Sequence, residues 1–176
     1  MRSQPRKLSS DAQLYTAAIE ALARRAHSVY EMRVRLKRRA EDPEAVRRVL
    51  DRLKREKLLD DESYARQFAR MRARIRLHGR FRITRDLRSR GLPDRLIDSA
   101  LDAVALEADE AKMVRTLLAR RLRAQRGPLD ARRMASLYRS LLRAGFSSEV
   151  IRRELRAIGK GSSDDLQEAS AEPYEN

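Results

Sequence analysis

A pattern of apolar residues that occurs three times along the chain constrains its fold more than any other feature. The pattern is anchored on Leu36, Leu87 and Leu141, which are spaced 51 and 54 residues apart. Around each anchor stand an apolar residue four positions before, a small residue four positions after, and apolar residues ten and fourteen positions after. Copy by copy, these are Met32, Ala40, Val46 and Leu50; Ile83, Gly91, Ile97 and Leu101; and Leu137, Gly145, Ile151 and Leu155. Apolar residues at these intervals indicate amphipathic helices, so each copy is predicted to be helical.

Each copy also carries the signals that begin and end helices, and they are clearest in the middle copy. Asp60 and Asp61 stand where an N-cap is favoured, and Gly79 and Gly91 stand where two successive helices should end. Pro93 suits the first turn of a third helix. The buried face predicted for the first of these helices consists of Tyr64, Phe68, Met71 and Ile75.

These signals predict an all-α protein of three tandem three-helix repeats that form an elongated, curved array. The predicted segments are a basic N-terminal tail at 1–10, helical repeats at 11–58, 59–105 and 106–157, and an acidic flexible tail at 158–176. A repeat of about fifty residues has too small a core to be stable alone, so neighbouring copies are expected to bury each other's faces. A compact globule of nine helices is the alternative arrangement.

The composition argues against catalysis and against metal binding. The chain contains no Cys, which excludes disulfides, thiolate chemistry and cysteine metal sites. Its two histidines, His27 and His78, have no metal-ligand spacing and are predicted to be surface or helix-capping residues. No glycine-rich phosphate loop and no GxSxG motif occurs. We therefore expect a non-enzyme with no catalytic residues, no cofactor and no metal.

The first ten residues and the hydropathy of the chain indicate where in the cell the protein is expected. The first ten residues lack the apolar stretch of a signal peptide. No run approaches the ~18 apolar residues that a membrane-spanning helix needs. A cytoplasmic protein without membrane contact is expected.

Positive charge is concentrated in the middle of the chain, whose formal net charge is +15. Between residues 66 and 90 the only acid is Asp86. The same span contains ten arginines, which are predicted to bind a filament or DNA: Arg66, Arg70, Arg72, Arg74, Arg76, Arg80, Arg82, Arg85, Arg88 and Arg90. Like charges one helical turn apart repel by a few tenths of a kcal/mol, and a negatively charged partner would remove that cost. A solvated face without a partner is the alternative.

The arginines fit nucleic acid and an acidic protein groove equally well, because the guanidinium fork binds phosphate and carboxylate alike. Tyr64 and Phe68 fall on the predicted core stripe, so base stacking on single strands is not indicated. Residues 81–104 are similar in outline to a helix-turn-helix. Acids at Asp94 and Asp98 disfavour sequence-specific reading of bases by its last helix.

Parts of this sequence resemble the RecX family, whose members regulate the RecA recombinase. Three segments carry the resemblance: residues 21–28 (ALARRAHS) with Glu31 and Leu36; residues 58–65 (LLDDESYA) with Phe68; and residues 79–83 (GRFRI) with Leu87, Arg90, Gly91 and Leu92. They cover roughly residues 15–105, whereas the third copy matches only by its helical pattern. Ala40 departs from the family, which has Gly after the second helix.

The resemblance implies tandem three-helix repeats and binding within the groove of the RecA–DNA filament. Filament growth, ATP hydrolysis and strand exchange would be limited as a result. The expected partners are the RecA nucleoprotein filament and, through weaker salt-dependent contacts, single- and double-stranded DNA, and the protein is expected to be a monomer. A general, salt-sensitive architectural DNA-binding protein is the alternative function, and a scaffold for another acidic protein is a third.

Overall fold

The structure, a computed structural model, describes the backbone of residues 7–124 and 129–169 and the side chains within those ranges up to residue 159. Within these ranges the backbone forms nine α-helices and a single isolated β-bridge, which confirms the predicted all-α class. The helices are α1 (Asp11–Arg24), α2 (Val29–Lys37), α3 (Pro43–Arg55), α4 (Asp61–Arg74), α5 (Arg80–Arg88), α6 (Asp94–Glu107), α7 (Glu110–Ala124), α8 (Ala131–Ala144) and α9 (Ser148–Ala169).

The first compact unit comprises residues 1–70 and 84–103. In it, α1 and α2 pack on α3 and on each other around an aliphatic core. The largest side chains that this core buries almost completely are Leu14, Met32, Leu36, Val46 and Leu53. Aliphatic side chains of this size stabilise a fold by about 1.5–3 kcal/mol each when fully buried.

Local capping chemistry fixes where these helices begin. The Ser28 hydroxyl accepts a hydrogen bond from the Glu31 amide, and the Glu31 carboxylate accepts one from the Ser28 amide. This reciprocal pair satisfies two amides that the first turn leaves unpaired. The Asp42 carboxylate caps α3 by accepting hydrogen bonds from the Glu44 and Ala45 amides, ahead of Pro43 at the first helical position.

Residues at the start of the described chain belong to the first unit rather than to a tail. Leu8 is 9% exposed within the core. Its amide donates to the Arg39 carbonyl at 2.7 Å, and its carbonyl accepts from the Glu41 amide at 3.1 Å. The predicted tail at 1–10 is therefore wrong for Leu8, because a lone apolar residue gives no periodic signal. Residues 1–6 of that prediction lie outside the described residues.

The second compact unit comprises residues 71–83 and 104–176. Here α9 packs against α7 and α8. Its core includes Val114, Leu118, Leu141, Phe146 and Ile151, each less than 2% exposed. Helix α9 continues to Ala169 and so enters the segment predicted as a flexible tail at 158–176, whose residues 170–176 lie outside the described residues.

The boundaries of the compact units pass through the middle triplet of helices. Residues 71–83 belong to the second unit, whereas the start of α4 and most of α6 belong to the first. The division into repeats at 11–58, 59–105 and 106–157, and the elongated, curved arrangement, therefore stay predictions.

The buried face of α4 differs from the predicted one. Tyr64 is buried as expected, but Met71 is 39% exposed and Ile75 is 70% exposed. The face instead buries Ala65, Ala69 and Ala73, which share an i, i+4, i+8 spacing and are at most 1% exposed. Small side chains let a helix backbone approach its neighbours closely, so alanines form the buried stripe and two larger residues are left outside.

Candidate partner-binding surfaces

The ten arginines predicted as a binding surface are divided between the two units. The first unit contains Arg66, Arg70, Arg85, Arg88 and Arg90. The second unit contains Arg72, Arg74, Arg76, Arg80 and Arg82. Each set is described in its own unit, and their action as one site stays a prediction.

In the first unit, several of these arginines contact the protein's own acids. Arg66 pairs with Glu62 at 3.0 Å one turn earlier on α4. Arg88 pairs with Asp94 at 2.7 Å, and this contact lowers the pKa of the Asp94 carboxyl. Both pairs are more than half exposed. Exposed pairs contribute about 0–1 kcal/mol, so a stronger anionic partner can displace them.

Arg90 has a structural role in the first unit. Its guanidinium carbon lies 4.6 Å from the centre of the Phe68 ring, and its Nε lies 3.9 Å from the Glu31 carboxylate. Its carbonyl oxygen accepts a 2.7 Å hydrogen bond from the Ser28 hydroxyl. Arg90 thus links the end of α5 to the start of α2.

In the second unit, the arginines alternate with exposed apolar side chains. Ile75 is 70% exposed and Phe81 is 64% exposed, while Arg76 has no ion pair among the described residues. We define the mixed segment as residues 71–82, from Met71 to Arg82, in which every charged side chain is an arginine. Arginine and aromatic side chains are enriched in protein interfaces, where a few such residues contribute most of the binding energy.

Phe81 is an exposed aromatic residue among these arginines, unlike Tyr64 and Phe68, which were predicted to lie on the core stripe. It stands between Arg80 and Arg82 at the beginning of α5, with its side chain largely in solvent. The helical spacing in this segment predicts that Ile83 and Leu87 face inward, and both are buried. The same spacing leaves Phe81 outside the inward face. A phenylalanine left outside such a face is the signal that identifies this surface.

A close contact between helix ends holds Phe81 in place. The Gly79 amide donates to the Ala144 carbonyl at 2.9 Å, and the Phe81 amide donates to the Gly145 carbonyl at 3.0 Å. The amides at the start of α5 are thereby paired with carbonyls at the end of α8, groups that both helices would otherwise leave unpaired. A Cβ added to Gly79 would lie 2.3 Å from the Gly145 oxygen, so the two backbones meet with no space for a side chain.

The first unit contains an equivalent contact between the start of α2 and the end of α5. Ser28 donates to the Arg90 carbonyl, and the Tyr30 ring packs on Gly91. Gly91 and Gly145 have φ values of +73° and +92°, in the left-handed region that favours glycine. These contacts explain the small residue after the second and third anchors. After the first anchor, Ala40 instead meets the backbone of Leu8.

A second basic surface, which was not predicted from the sequence, is a groove along α2 in the first unit. The groove has a volume of about 420 Å³. It is lined by Arg25, His27, Tyr30, Glu31, Val34, Arg35, Arg38 and Arg39. Its arginines are spread over fifteen positions rather than forming one run, so charge density along the sequence does not reveal them.

His27 forms part of the wall of this groove and is not a surface residue as predicted. It is 7% exposed, and its Nδ1 lies 2.9 Å from the Arg25 carbonyl oxygen. Because a carbonyl only accepts, Nδ1 carries the proton. Burial lowers the pKa of His27 below its usual value, with the nearby Arg25 and Arg35 acting in the same direction. His27 is therefore mainly uncharged near neutral pH.

Glu31 is the one acid in the groove, and it is held as a carboxylate. Burial raises its pKa, but hydrogen bonds from Arg25 and from the Ser28 amide outweigh burial and leave the pKa below its usual value. Tyr64 also donates to it at 3.2 Å. Glu31 thus organises the wall of the groove and leaves Arg35, Arg38 and Arg39 without an ion pair among the described residues.

No group of three His, Asp or Glu side chains that would hold a metal ion occurs among the described residues. None of the helices in the described part of the chain has the length and apolar character needed to cross a membrane.

Comparison with known proteins gives a consistent set of relatives. The model of the first three-helix domain of RecX matches residues 15–53, and the model of the second matches residues 60–101. The regulatory protein RecX of Prosthecochloris aestuarii is 36% identical over 138 residues, which make up 78% of this chain and 88% of that protein. That of Pseudomonas fluorescens Pf-5 is 37% identical over 142 residues, covering 81% of this chain and 89% of that protein.

Solved structures agree with these relatives. A crystal structure of a regulatory protein RecX has a TM-score of 0.68 at 27% identity, covering 82% of this chain and 70% of that one. The crystal structure of RecX from Lactobacillus salivarius has a TM-score of 0.69 at 22% identity, covering 85% of this chain and 96% of that one, and shows likeness of fold alone.

Proposed function

This chain belongs to the RecX family of regulatory proteins, and from that premise we propose that it modulates the RecA recombinase. It would bind in the groove of the RecA–DNA filament and limit filament growth, ATP hydrolysis and strand exchange. It would act in the cytoplasm as a monomer and without catalysing a reaction of its own.

The observation that carries this proposal is the mixed segment at residues 71–82. A surface that binds only phosphate gains nothing from exposed apolar side chains, whereas a protein partner buries them. Removing apolar surface from water contributes roughly 25 cal/mol per Å². Ile75 and Phe81 would therefore anchor the contact with a protein, and the arginines around them would meet its acidic side chains.

Filament binding would follow from several weak contacts acting together. Each arginine contributes little while it is exposed to water, but further contacts on the same chain are made at high effective concentration once the first has formed. A protein bound in this way would occupy the space that an incoming duplex needs. It would also obstruct the addition of further RecA subunits.

A general architectural DNA-binding protein is the second candidate, and the net charge of +15 favours it. Binding of that kind depends on the release of counterions and weakens steeply as salt rises. It predicts equal affinity for naked DNA and for the filament. The filament modulator instead binds the filament more tightly at the same salt concentration.

The deciding experiment is an ATPase titration on a preformed RecA–DNA filament. We expect wild-type protein to suppress hydrolysis at substoichiometric amounts. The double variant Ile75→Ser/Phe81→Ser should need at least about tenfold more protein, because losing two buried anchors costs about 2 kcal/mol or more.

Leu106→Ser is the matched control, since Leu106 is 91% exposed and belongs to the second unit but lies outside the mixed segment. It should inhibit as the wild type does. Full RecA activity at equimolar wild-type protein would exclude the proposed function. Equal inhibition by the wild type and the double variant would exclude the mixed segment as its anchor.

A further inference from the structure

The groove along α2 has features that neither the mixed segment nor filament binding requires. Four arginines face one glutamate across its walls, and that glutamate is already paired with Arg25 at 3.2 Å. Arg35 and Arg38 are exposed, and neither has an ion pair among the described residues. The groove therefore presents uncompensated positive charge in a concave space, where the field acting on an anion is strongest.

One arginine of the groove is only partly hydrated. Arg39 is half-buried, and its Nε is withdrawn from solvent with no hydrogen-bond acceptor among the described residues. A buried donor without a partner costs free energy in the unbound protein. An anion that accepts a hydrogen bond from this guanidinium removes that cost, so binding gains free energy. A fully solvated arginine offers no such gain, because water already accepts its hydrogen bonds.

An aromatic ring lies among these charges in a defined position. Tyr30 lines the groove and is 46% exposed. Its ring packs on Gly91, where an added Cβ would lie 2.4 Å from the Tyr30 Cγ, so the backbone of Gly91 supports the ring. A ring held by backbone loses little conformational freedom on binding, and it offers a flat surface to a second planar group.

We propose that the groove along α2 binds single-stranded nucleic acid, with Arg35, Arg38 and Arg39 contacting the phosphates and Tyr30 stacking on a base. The combination of a basic groove with a supported aromatic ring is the usual basis of sequence-independent single-strand binding. In duplex DNA the bases are stacked on each other and are not available to Tyr30. The groove therefore prefers single strands to duplex.

This site is independent of the proposed filament contact. It lies in the first unit, whereas the apolar anchors Ile75 and Phe81 lie in the second. It also needs no recombinase, so its test uses the full-length protein and nucleic acid alone.

The experiment measures fluorescence anisotropy of a labelled oligothymidylate and of a duplex of equal length, over a series of salt concentrations. The triple variant Arg35→Gln/Arg38→Gln/Arg39→Gln removes three phosphate contacts. The slope of log affinity against log salt should fall by about 2 for the single strand, at roughly 0.7 per contact. The matched triple variant Lys37→Gln/Arg47→Gln/Arg55→Gln removes the same charge from exposed positions of the same unit that do not line the groove. It should leave most of the slope intact.

Tyr30 is tested by a pair of variants that each keep an apolar side chain against Gly91. Tyr30→Phe retains the ring and should bind as the wild type does, whereas Tyr30→Leu should lose roughly tenfold in single-strand affinity and nothing for the duplex. Circular dichroism melting checks that Tyr30→Leu folds. Equal losses in the two triple variants, or unchanged single-strand binding by folded Tyr30→Leu, would overturn the site. Neither result depends on whether RecA is inhibited.

Discussion

Replacing Gly145 with alanine tests whether the contact between the end of α8 and the start of α5 holds the second unit together. Gly145 has a φ of +92°, a backbone conformation that costs an alanine about 1–2 kcal/mol. The new Cβ would also lie 2.3 Å from the Arg82 amide nitrogen. That atom is part of the backbone and cannot rotate away, so overpacking adds about 1–3 kcal/mol.

The two effects together lower the free energy of unfolding by about 2–5 kcal/mol. For a chain of this length, a loss of about 3 kcal/mol lowers the melting temperature by roughly 6–12 °C. Circular dichroism melting, with urea unfolding for the free energy, measures the change. Gly79→Ala separates the two causes, because it meets the Gly145 oxygen at 2.3 Å but needs no left-handed backbone. It should lose only about 1–3 kcal/mol.

Gly159→Ala is the opposite case and serves as the control. Gly159 lies in helix α9, and an added Cβ would meet nothing within 4 Å. Alanine there should stabilise the protein by about 0.5–1 kcal/mol, because glycine is a poor helix former. A Gly145→Ala protein that melts at the wild-type temperature would refute the close contact and the reason given for the small residue after each later anchor.

Three further predictions concern the first unit and the predicted arginine surface. Leu8→Ala should lower the free energy of unfolding by about 2–4 kcal/mol, because it removes a buried side chain. Leu58→Ala is the control, since Leu58 is 44% exposed, and it should change the free energy of unfolding by less than about 1 kcal/mol. Equal effects of the two variants in urea unfolding would contradict the placement of Leu8 in the core. Burial depresses the pKa of His27 below 6.5, so the unfolded chain binds that proton more tightly and stability is lost as pH falls through 6.5. The melting temperature should therefore drop between about pH 7.5 and about pH 5.5, and the drop should be smaller in His27→Gln; identical profiles would show that His27 does not titrate in this way. Reversing Arg66, Arg70 and Arg74 to Glu should weaken filament inhibition by at least about tenfold. The melting temperature should fall only slightly, because all three are exposed, although Arg66 loses its pair with Glu62 and Arg74 loses its pair with Glu107. An unchanged ATPase titration would remove the three arginines from the binding surface.

Much of the helical architecture can be predicted from the sequence because its causes are local. Ser28 and Glu31 form the capping box that their spacing predicts, and Asp42 caps α3 ahead of Pro43. Gly145 ends α8 in the left-handed conformation that its position suggests. Each of these interactions involves residues a few positions apart, so the printed order of residues already places the interacting atoms near one another.

The sequence by itself determined that the chain is all-helical and strongly basic. It also determined where most of the helices begin and end and which residues recur in each copy of the apolar pattern. Only the tertiary structure decided that α4 buries Ala65, Ala69 and Ala73 and leaves Ile75 in solvent. It alone brought Tyr30 onto Gly91 and gathered four separated arginines around one groove. The reason is that helical periodicity defines faces of a helix, whereas the neighbour that covers a face comes from elsewhere in the chain and is selected by how closely the two surfaces fit.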